Sequence, residues 1–194
     1  MALPTYDKSQ RKSFTFENLP KDAYVIKILG VKEGTYQSGD HCLRIAFDIA
    51  EGKYKDFYQN QFDRNTREDK EWPYDGVFSL TVPTDNSKPW VWSNWNTFFA
   101  DLEDSNNGFI FSGDIRTLKG KLIGGKFRIR QSEKNGTIYD HTEMKYSCVA
   151  DDVRNGKAGR LPNDSLVKTS GAPAASAPSV DDFVNNVSEE ELPF

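Results

Sequence analysis

The chain has 194 residues, 37% of them hydrophobic and 13% aromatic, which suits one ordinary domain with a core and an appendage. A net charge of −4 excludes a uniformly basic protein, and no apolar run approaches the ~20 residues of a membrane-spanning helix. Residues 1–12 are polar, which argues against a signal peptide, and Cys42 and Cys148 are too few for a disulfide framework; the expectation is a cytoplasmic, reduced protein.

Tyr24 to Val31 is a β-branched-rich run that predicts a strand buried on much of both faces, with Gly30 marking a bulge or bend. After a turn-like segment from Gly34 to Asp40, Leu43, Ile45, Phe47 and Ile49 alternate with Arg44, Ala46 and Asp48, the pattern of a half-buried strand. Tyr54 to Phe62 reads as the next strand, and Asp63 to Asp75 as a charged loop carrying Trp72 and Tyr74. Strand alternation resumes at Phe78, Leu80 and Val82.

A helix follows, with Ser87 as its expected cap and Pro89 in its first turn. Val91, Trp95, Phe98 and Leu102 recur at helical spacing as one core stripe, and Asn106-Asn107-Gly108 is the stop signal. Lys126 to Gln131 and Ile138 to Val149 then form a hairpin around Asn135-Gly136. Phe127 and Ile129 take one face of the first arm and Lys126, Arg128 and Arg130 the other; on the second arm Met144, Tyr146 and Cys148 alternate with Glu143, Lys145 and Ser147.

The predicted fold is therefore mainly β with one main helix, an OB-like five-stranded barrel in the order β-β-β-α-β-β, although other small α+β barrels fit the same order. Residues 1–20 read as an N-terminal arm, 21–165 as the barrel domain and 166–194 as a disordered linker and acidic tail. From about Ser170 the Gly, Ala, Pro and Ser run lacks periodicity and cannot bury enough apolar surface to order itself. Asp181, Asp182, Glu189, Glu190 and Glu191 lie beyond Thr169 with no Lys or Arg among them, so the rest of the chain is nearly neutral.

The tip, Glu189-Glu190-Glu191-Leu192-Pro193-Phe194, suits capture by a basic partner with an apolar pocket: Phe194 fills the pocket while the carboxylates meet Lys and Arg. A solvated solubility tail has no reason to end in an aromatic residue after proline. These six residues resemble the tip of bacterial single-stranded-DNA-binding proteins, in which acids precede a terminal Pro-Phe and recruit replication and repair enzymes.

The body resembles a family of phage proteins often taken to be the phage's own single-strand binders and found beside recombinases. Leu118-Lys119-Gly120-Lys121, the Asn135-Gly136 hairpin and Asp152-Val153-Arg154-Asn155-Gly156-Lys157 carry that resemblance, over roughly Ala23 to Pro162. The N-terminal strand signature of the bacterial proteins is missing, so neither their tetramer nor their stacking residues carry over.

Single-strand binding without sequence preference needs rings for bases to stack on and cations along the phosphate path. The candidate rings are Tyr58, Phe62, Trp72, Tyr74 and Trp92, and the candidate cations Arg44, Arg64, Arg67, Lys126, Arg128 and Arg130. Most rings in any domain are core, and Trp95, Phe98, Phe127 and Phe47 sit on inward-facing stripes. The row Lys126, Arg128 and Arg130 is the stronger candidate, since three bases on one strand face repel unless an anion lies across them.

His41-Cys42 and His141…Cys148 supply soft metal ligands, but their spacing matches no standard zinc arrangement, so neither metal nor cofactor is expected. Gly120 to Gly125 lacks the Lys-Ser/Thr of a phosphate-binding loop, and no nucleophile elbow is present, so no enzymatic activity is expected. The expected function is binding of single-stranded DNA in phage replication or recombination inside a bacterial cell, with host or phage replication and recombination proteins recruited at the tip and no membrane partner. Self-association into a homo-oligomer is left open. The alternative is an adaptor or decoy that engages a host replication protein through the same tip and does not bind DNA.

Overall fold

The β-branched run at the start of the domain becomes a long strand, β1 (Ala23–Thr35), which pairs antiparallel with β2 (His41–Ile49). The register shifts between Ile28 and Gly30, so the bulge falls where the glycine marked it. The first half of β1 also pairs with β4 (Leu122–Lys134), so this strand joins both halves of the sheet. β3 (Val77–Thr81) pairs with β2, and β5 (Thr137–Cys148) with β4.

The result is one five-stranded antiparallel sheet of order β3-β2-β1-β4-β5. It is open: Cα atoms of the edge strands β3 and β5 come within 8 Å of one another, but no ladder joins them. This computed structural model describes residues 18–167, and the linker and acidic tip lie outside the described residues. Among those described, no helix is long and apolar enough to cross a membrane.

The segment expected as a third strand, Tyr54 to Phe62, folds instead into a turn and a helix, α1 (Phe57–Arg64). Its start is organised by a distant residue. The Asp48 carboxylate on β2 accepts the amides of Ile49 (2.8 Å), Tyr58 (2.9 Å) and Gln59 (3.0 Å), replacing a local cap. With that segment helical, three strands precede the main helix, in the order β-β-β-α-β-β.

The main helix, α2 (Pro89–Ser105), has Pro89 in its first turn and ends before Asn106, as its sequence signals require. Ser87 does not cap it: Lys88 occupies that position, and the Ser87 hydroxyl accepts the amide of Thr84 (2.8 Å) instead. Val91, Phe98 and Leu102 are buried, while Trp95 is only partly so, packing on Phe99 at 4.9 Å.

The core lies between one face of the sheet and α1 and α2. Phe127 is at its centre, with ring centroids 5.4 Å from Tyr24 and 5.8 Å from Phe47. Leu19, assigned by composition to the N-terminal arm, belongs to this core, and its carbonyl accepts the hydroxyl of Thr142. Gly124 is required by contact, because a Cβ there would lie 2.7 Å from Cys148 Sγ and 2.8 Å from Cys148 O.

The Asn135-Gly136 turn closes the β4–β5 hairpin with both residues at positive φ (53° and 75°), the two-residue turn that matches strand twist. The hairpin projects beyond the rest of the sheet. Its β4 edge is covered by the segment leading to Val167, where Ser165 donates to Ile129 O (2.9 Å) and accepts from Gln131 N (2.8 Å).

Candidate nucleic-acid interface

Where β3 and β5 fail to pair, a groove of about 640 Å3 runs between them, floored at one end by α2. Its apolar floor is Phe78, Val91, Phe98 and Met144, with the Phe78 and Phe98 rings stacked at 5.9 Å. Above the floor stand partly or well exposed rings: Tyr36 from the β1–β2 loop, Tyr74 from the turn before β3, Trp90 at the head of α2, and Tyr146 on β5. Four rings from four separate elements therefore converge on one opening.

Cations are interleaved with them. Lys126 and Arg128 enter from β4 and Lys145 from β5, with the Lys145 ammonium 5.7 Å from the Tyr146 ring centroid. Arg130 stands at the rim, its guanidinium 5.7 Å from the Tyr74 ring. The anion expected across the basic row is already present within the protein. Glu143 on β5 accepts Arg128 Nε (2.9 Å) and Arg130 Nε (2.7 Å), one carboxylate bridging two guanidiniums.

The mouth of the groove is pinned by a polar chain. Asp75 Oδ2 lies 3.3 Å from His141 Nδ1, and His141 Nε2 lies 2.9 Å from Ser132 Oγ. Burial pushes the Asp75 carboxyl above its ordinary value, opposed by His141, and its Oδ1 is buried without a hydrogen-bond partner. Although Asp, His and Ser fall in line, Ser132 sits inside a β-ladder, and the neighbouring amide of Gln131 is committed to Ser165 O. The chain tethers the Tyr74 loop to the hairpin and offers no oxyanion site of the kind acyl transfer uses.

Of the residues singled out in the sequence, Tyr74, Lys126 and Arg128 line the groove and Arg130 borders it. The others lie elsewhere. Tyr58 is 1% exposed and buried against Phe47, so its ring offers no surface to a base. Phe62 and Trp72 pack on each other at 5.7 Å, and Trp72 Nε1 donates to Gly76 O (3.1 Å), so both are structural. Trp92 is exposed, but on the side of α2 away from the groove, and Arg44, Arg64 and Arg67 do not line it.

Tyr36, Trp90, Lys145 and Tyr146 were not among those residues. Trp90 had a readable signal, since Trp90, Asn94 and Thr97 form a second helical stripe beside the core stripe. Tyr146 had none, because a bulge opposite Lys126 and Phe127 breaks the alternation of β5: Met144 and Cys148 are buried and Tyr146 is turned outward.

His41, Cys42, His141 and Cys148 do not converge, and no group of three or more His, Cys, Asp or Glu residues placed to hold a metal ion occurs among the described residues. Both thiols are free and buried, and burial pushes that of Cys148 up to about 11. Neither a family model nor a curated protein sequence matches the chain.

Proposed function

We propose that the protein is a non-enzymatic binder of single-stranded DNA that holds the strand in the groove between β3, α2 and β5. The observation that carries this reading is the convergence of Tyr36, Tyr74, Trp90 and Tyr146 with Lys126, Arg128 and Lys145 on one open cleft. Rings offer stacking worth about 1–3 kcal/mol per base, and the cations track phosphates. The strand order β3-β2-β1-β4-β5 supports an OB-like reading of the domain, as a partly open five-stranded barrel parted between its third and fifth strands. In this proposal the protein acts in phage DNA replication or recombination in the cytoplasm of a bacterial host, and residues 189–194 recruit partner enzymes.

Titration with oligo-dT, read by tryptophan fluorescence at low and high salt, tests the binding. Quenching by the single strand, weakened by salt and absent with duplex, is the expected result. Trp90→Ala is expected to lower affinity about five- to a hundredfold, whereas Trp92→Ala leaves it within about twofold. The nearly neutral body, with Asp75 and Glu143 in the cleft, is what the adaptor reading has in its favour. That reading takes first place if no single strand binds even at low salt.

A further inference from the structure

The α2 face of the groove is not built only for stacking. One turn beyond Trp90 on the same face is Asn94, flanked by Ser93 and Thr97, and all three side chains line the groove. Asn94 is half-buried, and among the described residues its amide has no hydrogen-bonded partner; the same holds for the hydroxyls of Ser93 and Thr97. Three other polar side chains at this cleft are committed. Thr81 Oγ1 meets the Tyr36 hydroxyl at 3.4 Å, Ser147 donates to Asp101 (2.6 Å), and Glu143 is held by two arginines. Three polar groups without a hydrogen-bonded partner among the described residues thus share one helix face with Trp90.

An amide with a free donor and a free acceptor side by side is the side-chain complement of a base edge. In a single strand the Watson–Crick and Hoogsteen edges are both open to such a contact. A base stacked on Trp90 turns an edge along the helix toward Asn94, because positions four apart on a helix are neighbours. We propose that Asn94 is a specificity-determining residue, which makes this groove discriminate among bases at the nucleotide stacked on Trp90. The inference rests on the single-strand-binding reading and deepens it: stacking and phosphate contact give affinity for any strand, and Asn94 adds a base preference.

The test measures dissociation constants by fluorescence anisotropy for labelled dA, dC and dT oligonucleotides of equal length, with the full chain. The parent protein is expected to separate its best and worst homopolymers by roughly fivefold or more, the lower end of what one bidentate amide contact supplies. Asn94→Ala should bring the three within about twofold by weakening the best, leaving the worst nearly unchanged. Asn94→Asp keeps the shape but only accepts hydrogen bonds, and should move the preference away from dT, which has no exocyclic amine, toward dA and dC, whose N6 and N4 amines donate. Equal binding of all three by the parent overturns the proposal, as does a uniform loss of affinity in both variants. If the parent binds none of them at low salt, it is the single-strand-binding reading that fails, a result distinct from binding without preference.

Discussion

Asp48 is a buried carboxylate and Asp75 a half-buried one, and they were legible in the sequence to different degrees. Asp48 sits on the alternating stretch that defines β2, where it reads as the polar half of the pattern. Its work is done across the fold, on the first turn of α1. No local signal announces that, which is why the segment from Tyr54 reads as a strand. Tyr54, Tyr58 and Phe62 are four apart, a spacing that satisfies both a two-residue and a 3.6-residue period, and Asp56, the N-cap residue of α1, makes no side-chain cap hydrogen bond.

Asp75 has a consequence for stability against pH. Burial raises its carboxyl in the folded state above the ordinary value of 3.8, so the native protein binds this proton more tightly than the unfolded chain. Its contribution is therefore most favourable below 3.8 and declines as pH rises through the raised folded value. Asp75→Asn retains an acceptor for His141 and removes the ionisation. Relative to the parent, the variant should gain stability as pH rises from 3.8 through the raised folded value. Urea unfolding at several pH values measures this. A relative stability that falls over the same interval would show that the His141 contact outweighs burial.

At the scale of elements, the hairpin was among the clearest features of the sequence, through Asn135-Gly136 and the alternating arms, and it forms as expected. Its function was only half legible. The basic row Lys126, Arg128, Arg130 could be read from one strand, but Glu143, which neutralises part of it, could be seen only once the register paired Arg128 with Glu143. That carboxylate lines the groove and shares its charge with two arginines that, in the proposed function, would otherwise face phosphate. Glu143→Gln should therefore tighten binding of oligo-dT several-fold at low salt and steepen the dependence of log K on log salt by up to roughly one unit. An unchanged slope would mean that the arginines keep their positions for the hairpin and do not meet the strand. The cost in stability should be small, about 1 kcal/mol or less, because the glutamine still accepts one of the two hydrogen bonds.

Across the whole molecule, patterning placed all five strands but added a false one at Tyr54 to Phe62, and it gave no sign of the parting between β3 and β5. Edge strands that approach within 8 Å without pairing differ from paired ones by a small shift in backbone path, and no periodicity encodes it. That parting creates the groove, so the candidate site is also the feature least visible in the sequence. Charge, by contrast, is visible there and nowhere else. Every Lys and Arg precedes Thr169, while five acids follow it, a distribution that places anionic residues on the same chain as a cleft carrying Lys126, Arg128 and Lys145. An acidic segment tethered to a basic cleft raises the local concentration of competing anions whether or not it occupies a defined site. A chain ending at Thr169 should consequently bind oligo-dT as tightly as the full chain or more tightly at low salt. The difference should vanish at high salt, where exposed charges are screened beyond about 3 Å at 1 M. Weaker binding by the shortened chain at every salt concentration would instead make residues 170–194 part of the DNA-binding surface, and the division between a binding body and a recruiting tip would have to be abandoned.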